Sequence, residues 1–418
     1  MIDGPVWHPF TQHATEPAPP VVRRTEGAYI HTDRGRLIDA VSSWWVITHG
    51  HRHPPIMDAI RDAATRLDQV IFAGLTHDPA EQLAAALVRL APEGLTRVFY
   101  SDSGSTAVEV ALKMALGYWR AADGTDARHR IVEMDHSYHG DTIGTMSVGA
   151  RGVFNAAYGP LMFDVDRIPV PRAGGAATLD AFRALARGGE IAALIVEPLI
   201  LGSGGMLMYD AAVLAGLRRI CDEHGVLMIA DEVMTGWGRT GRLWACDHAG
   251  IAPDILCTSK GLTGGAVPLA ATLACEKVYQ AHYSTDRART FFHSSSYTAN
   301  PIACAAGLAN VRIWEAGGMQ PVLDRVAAMQ AERLAALAAR PGWENPRQQV
   351  TIAAIDLSVG QAGYLAEDGP VMRAHFMDRG VLLRPLGNTV YVMPPYCIDE
   401  LDLNAIYAAI EEACATLL

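Results

Sequence analysis

The sequence predicts an α/β protein, with a large domain on a mixed, mostly parallel sheet and a smaller α+β domain beside it. Three observations predict it. Apolar, β-rich runs at residues 191–196, 226–230 and 255–257 each stop at a polar or glycine-bearing segment, the mark of strands buried on both faces. Helical apolar spacing fills stretches between such runs, as at residues 210–224. From about residue 311 the pattern changes to a helix at 322–339, a strand at 351–357, a helix at 371–378, strands near 381–384 and 390–393, and a closing helix at 401–417. The expected division is an N-terminal segment, 1–55, that packs with the small domain; a large ligand-binding domain, 56–308; and the small domain, 309–418.

Composition narrows the function. The chain has 418 residues, half of them hydrophobic, enough for a sizeable core. A formal net charge of -11 argues against nucleic acid or an anionic membrane as the main partner, since either favours a basic face. Cys221, Cys246, Cys257, Cys275, Cys304, Cys397 and Cys414 are scattered without a CxxC pair, which excludes a zinc ribbon and points to buried, reduced thiols in a cytoplasmic setting. Residues 1–20 carry no apolar h-region, and no run approaches the roughly 18 apolar residues of a membrane span.

Taken in order, residues 1–20 are proline-rich and expected to be extended, with Trp7 and Phe10 packing back onto the body. A short hairpin is expected at 28–37 around Asp33, Arg34 and Gly35. Trp44 and Trp45 follow; on a strand they would point to opposite faces, so that one of them faces a ligand. His49, His51 and His53 lack a carboxylate or cysteine at ligand spacing, so no metal site is expected there. Helical spacing returns at 56–67 and 79–90. A strand at 97–100 then turns through Gly104 and Ser105 into a helix from about Thr106 to Trp119, whose free N–H groups and dipole suit a phosphate, although the same residues make ordinary N-caps. A strand at 131–134 ends near Tyr138; residues 149–172 read as a connector or a lid; the strand at 191–196 ends at Glu197.

The central stretch runs from residue 229 to 260. Its two strands each deliver a charged residue at the carboxyl end, Asp231 and Lys260, and that edge is where ligands sit in open α/β sheets. An acid and an amine there suit pyridoxal 5'-phosphate, which needs a lysine for a Schiff base and a carboxylate at its ring nitrogen. Val233 shares the side of the chain that Asp231 occupies, where it packs either under a ring or into the core. Arg239, within the glycine-rich loop 236–241, is a candidate loop anchor. A strand at 269–275 and a serine-rich run, Ser294, Ser295 and Ser296, precede the helix opened by Asn300 and Pro301. Arg384, between a strand and Pro385, is the candidate clamp for a substrate carboxylate, because a guanidinium fork matches it in two hydrogen bonds.

The motifs at Trp7 to Thr11, Ser42 to Trp45, Ser101 to Glu109, Tyr138 to Asp141, Asp231 with Gly236 to Gly241, Lys260 with Gly264 and Gly265, and Arg384 with Met393 to Tyr396 carry a resemblance. Over nearly all its length the chain resembles the class III aminotransferases of the type I pyridoxal-phosphate transferase fold, and within them the branch that serves biotin synthesis. The resemblance implies catalysis by Lys260, Asp231 and Tyr138, with Tyr138 on the ring face and Glu197 ordering the site. It places the cofactor against Gly104, Ser105, Tyr138, Asp231, Val233, Lys260, Ser295 and Ser296, with Ser296 reaching the phosphate of a neighbouring subunit in a homodimer. Substrate would meet Phe10, Trp44, Trp45, Tyr138, Lys260, Ser294 and Arg384. The implied substrates are 8-amino-7-oxononanoate and S-adenosylmethionine. Some members have tyrosine where this chain has Phe10, which removes a hydroxyl from the substrate site and leaves lysine open as a donor. A broader ω-amino-acid or amine:pyruvate transaminase is the alternative, for which the double tryptophan is less expected. A nucleotide-binding oxidoreductase using Ser103 to Ser105 would lack its GxGxxG turn.

Overall fold

A computed structural model describes residues 2–124, 127–358 and 368–417. A seven-stranded sheet organises it, in the order Leu95–Ser101, Ala270–Cys275, Ile255–Thr258, Leu227–Asp231, Ile191–Val196, Arg130–Met134 and Asp166–Ile168. Ala270–Cys275 alone runs against its two neighbours, so the other six strands share one direction. Their carboxyl ends therefore lie along one edge.

Period-two alternation of the strands feeds two cores. Leu227 and Ile229 join Ile131, Ile195 and Ile255 under the helix Gly104–Asp123, which buries Ala107, Val108, Val110, Ala111 and Ala115. Met228, Leu194 and Val196 face the opposite way, onto Leu214, Leu217, Ile220 and Cys221 of the helix Ala211–His224. Helices on both faces explain why these strands read as unbroken apolar runs.

Two smaller sheets border this body. Val22–Glu26, Tyr29–Thr32 and Gly35–Asp39 form a meander completed by Val381–Leu382, which pairs in parallel with Gly35–Asp39. Trp343–Gln349, Ile352–Leu357 and Thr389–Val392 form the other, packed with the helix Met319–Ala338, against which Glu400–Leu417 packs in turn.

Several elements differ from expectation. The strand Asp166–Ile168 lies inside the stretch read as a connector, because three mixed residues at a sheet edge give no apolar run. Trp343–Gln349 is polar and contains Pro346, which an edge strand tolerates. Phe10 packs on Trp44, but Trp7 is 90% exposed, so only one of the two aromatics docks. Cys397 is exposed and Cys275 half-buried rather than buried; the side chain of Cys414 lies outside the described residues.

The double tryptophan sits on no strand. Ser42, Ser43, Trp44 and Trp45 have φ of 51, 47, 69 and 73°, one turn of left-handed helix. Such backbone costs about 1–2 kcal/mol per residue. The turn is held by specific bonds: Ser43 donates from N (2.9 Å) and Oγ (2.7 Å) to Asp39, and Ser42 Oγ donates to Met393 O (2.7 Å). Arg239 donates to Ile47 O (2.7 Å) and Pro394 O (3.0 Å), so it anchors this turn to the C-terminal part of the chain.

Candidate active site

Five segments leave the common strand edge and enclose a cavity of about 160 Å³ lined by Gly104, Ser105, Tyr138, His139, Glu197, Asp231, Val233 and Lys260, with Trp45 above. Asp231 ends its strand, and Lys260 lies two residues past Ile255–Thr258 with φ 44°. The neighbouring strands are parallel and in register, Asp231 beside Cys257, so the acid and the amine reach the same space.

Burial sets one amine apart from the others. The chain has only three lysines. Lys113 donates to Phe292 O (2.6 Å), and Lys277 pairs with Asp254 (2.5 Å), whose hydrogen bond and charge outweigh burial and raise its pKa. Burial instead lowers Lys260 to about 8, against the opposing pull of Asp231 and Glu197 and with the help of Arg239. Its Nζ lies 4.8 Å from the centroid of the Trp45 ring.

Both oxygens of Asp231 are fixed. His139 Nδ1 donates to Oδ2 (2.7 Å) and the Val233 amide to Oδ1 (3.1 Å). Burial opposes a charge on His139, but the hydrogen bond and charge of Asp231 prevail and raise its pKa. Glu197 accepts from the amides of Tyr138 (2.9 Å) and Gly202 (3.0 Å), which pins Tyr138, while burial raises Glu197 to about 7. The Tyr138 hydroxyl is pushed well up by burial, then by the charge and hydrogen bond of Asp141.

The helix Gly104–Asp123 presents its N-terminus to the cavity, its first turn held by a Ser103–Thr106 capping box. A Cβ on Gly104 would come within 2.7 Å of Val233 Cγ1, and one on Gly140 would collide with Ser105 Oγ. Glycine at both positions lets the helix end close on the cavity wall.

A second cavity, of about 240 Å³, opens beyond the first and shares Trp45, Tyr138 and Lys260 with it. Phe10, Trp44, Asp141, Phe154, Ser203, Arg384, Leu386 and Tyr391 line the remainder. Trp45 is 4% and Trp44 42% exposed, yet both reach this space, because residues on a helical turn do not alternate by 180° as they do on a strand. Arg384 Nη2 donates to Phe10 O (3.2 Å), and its guanidinium lies 5.2 Å from the Trp44 ring. A larger groove, of about 1050 Å³, between Pro54–Ala64, Asp78–Leu90 and Pro301–Glu315 shares no residue with either cavity.

Not every candidate residue gathers there. Ser294, Ser295 and Ser296 line neither cavity of their own chain; Ser295 Oγ donates to Asp102 (2.9 Å). His51 bonds Asp39 (2.9 Å) and His49 bonds Asn310 (2.7 Å), and among the described residues no group of three or more His, Cys, Asp or Glu side chains is placed to hold a metal ion. Sequence reasoning did not single out His139, Asp141 or Phe154 as site residues. The first two stand in the Tyr138 motif; Phe154 lies in the stretch read as a connector, where no periodicity marks it.

The family profile of class III aminotransferases matches residues 10–414. The chain belongs to the class III aminotransferases. This aminotransferase is 46% identical, over 97% of each chain, to the adenosylmethionine-8-amino-7-oxononanoate aminotransferase of Synechococcus elongatus. It is 40% identical to the enzyme of the same name from Mycobacterium leprae, over 97% of this chain and 94% of that one. Among solved structures it is similar to the Methanocaldococcus jannaschii adenosylmethionine-8-amino-7-oxononanoate aminotransferase, with a TM-score of 0.94, 32% identity and coverage of 98% of this chain and 97% of that one. It is also similar to a pyridoxal-phosphate-bound amine transaminase from an uncultivated Pseudomonas species, with a TM-score of 0.92, 32% identity and 99% of each chain covered. The fold is thus that of the type I pyridoxal-phosphate enzymes. The cavity fits that cofactor chemically: a buried amine of lowered pKa, a fixed carboxylate and a glycine-lined helix N-terminus converge, while His139 Nε2 is buried without a partner.

Proposed function

We propose that this aminotransferase uses pyridoxal 5'-phosphate to move an amino group from S-adenosylmethionine to the ketone of 8-amino-7-oxononanoate, giving 7,8-diaminononanoate for biotin synthesis. The names of its relatives support the substrates. The observation that carries the chemistry is one buried lysine of lowered pKa facing a fixed carboxylate.

Bound pyridoxal phosphate supplies an aldehyde that condenses with amines and a protonated ring that draws electrons from the amine-bearing carbon. Lys260 is the residue that would hold that aldehyde. With a donor amine bound there, Lys260 Nζ would be the base that takes the proton from the donor's amine-bearing carbon. Asp231, held by His139, keeps the ring-nitrogen proton in place; Val233 and Tyr138 are assigned to the two ring faces. Gly104 and Ser105 offer amides to the phosphate. Arg384 is assigned to the substrate carboxylate, with Phe10, Trp44 and Trp45 against the carbon chain. The first product leaves before the acceptor binds, so kinetics are ping-pong.

The reading extends to a homodimer in which Ser296, with Ser294 and Ser295 beside it, reaches the partner's phosphate; exposed Phe292 and Tyr297 beside these serines accord with a covered surface. It also extends to the division at 55 and 308, and to a cytoplasmic setting, in which the six described cysteines stay free. Product analysis with 8-amino-7-oxononanoate and S-adenosylmethionine, lysine or alanine tests the reading. It expects 7,8-diaminononanoate with S-adenosylmethionine, and turnover only with pyruvate-type acceptors would overturn it.

A further inference from the structure

The outer cavity is lined largely by aromatic side chains. Phe10, Trp44, Trp45, Tyr138, Phe154 and Tyr391 make up most of its lining, with Asp141 as the one carboxylate. Phe10 meets Trp44 edge-on at 5.3 Å and Phe154 edge-on at 5.9 Å, so three rings from distant parts of the chain form one corner. The cations that border this space already rest on rings: Arg384 over Trp44 and Lys260 over Trp45. Phe154 is not there by accident of a loose loop. Asn155 is buried, donates from Nδ2 to Ala150 O (2.9 Å) and accepts from the Gly152 amide (3.0 Å), closing the turn that presents Phe154.

We propose that Phe154, with Phe10 and Trp44, forms an aromatic cage that selects amino donors carrying a positive charge on the side chain, and that Phe154 is a specificity-determining residue. The inference rests on the proposed transamination and names the property of the donor that the site reads. Ring faces attract a cation held within about 6 Å of their centroids, and the attraction is strongest where water is excluded. The sulfonium of S-adenosylmethionine is such a cation, as is the ε-ammonium of lysine; a neutral thioether is not. The donor amine must reach Lys260 at the boundary of the two cavities, so a charge a few bonds farther along falls among these rings. Asp141 favours the same sign of charge.

The test compares the first half-reaction of the cofactor-loaded enzyme with S-adenosylmethionine, lysine and S-adenosylhomocysteine, the last lacking only the methyl group and the charge. Donor dissociation constants come from the concentration dependence of the rate, and from quenching of tryptophan fluorescence as an independent reading. Phe154→Leu is expected to weaken the cationic donors by about fivefold to tenfold relative to S-adenosylhomocysteine, and Phe154→Tyr to preserve the preference. The lysine arm shows whether ammonium and sulfonium are both read. Equal weakening of all donors, which would make the ring a space-filler, overturns the proposal, as does a wild-type enzyme that takes the neutral thioether as readily. A charge preference that persists without any turnover of 8-amino-7-oxononanoate would support the cage and refute the assigned acceptor.

Discussion

The floor of the active site and its outer wall are held by different means. Tyr138, Glu197, Asp231 and Lys260 follow the carboxyl ends of strands that share one direction in a sheet covered on both faces. Phe10, Trp44, Phe154 and Arg384 stand on irregular backbone, with φ of 50° at Phe10 and 69° at Trp44. Bonds from single side chains to carbonyls hold them: Arg384 to Phe10, Arg239 to Ile47, Asn155 to Ala150. The floor inherits its precision from the sheet, and the proposed function places the chemistry there. The wall stands apart from the sheet, and the proposed function gives it the choice of substrate.

Substitutions separate the two. Asp231→Asn, in the floor, is expected to slow proton removal in a single half-reaction by on the order of a hundredfold or more while the cofactor stays bound. An unchanged rate would break the division. Arg384→Ala, in the wall, is expected to raise the KM for 8-amino-7-oxononanoate by about tenfold to a hundredfold, the worth of a charged hydrogen bond, and to move kcat far less. A loss confined to kcat would reassign Arg384 to the floor.

Arg239→Met probes the joint between them. Arg239 is 1% exposed and its guanidinium satisfies the carbonyls of Ile47 and Pro394, so its removal is expected to cost about 2–4 kcal/mol in thermal or denaturant unfolding. A loss near zero would mean that the left-handed turn holds itself. The smallest expected effect is in pH. An amine must be neutral to attack an aldehyde, so cofactor attachment to the cofactor-free protein should rise with pH through about 8 and then level, well below the ordinary lysine range. Glu197→Gln removes a charge that favours the ammonium and should move that rise to lower pH; an unmoved profile would separate Glu197 from Lys260.

The same comparison explains what the sequence made legible. Asp231 and Lys260 could be paired from sequence because apolar runs mark strands and strand ends mark ligand edges. Val233 and Gly104 followed from their positions beside those ends. The wall left no such trace. Trp44 and Trp45 were visible as residues, but their shared orientation depends on a left-handed turn that Arg239, far along the chain, stabilises. Phe154 reaches the cavity through an Asn155 turn in a stretch without periodicity, and Asp166–Ile168 is too short to show any. The bonds from Arg239 join segments far apart in the chain and have no local pattern to read.

The account stands most directly on where the cofactor is attached. Borohydride reduction of the cofactor-loaded protein, followed by peptide mass spectrometry, has only Lys113, Lys260 and Lys277 to choose among. The account predicts a label confined to Lys260 and absent from the Lys260→Ala protein. A label on Lys113 or Lys277, or one that survives that substitution, would contradict it.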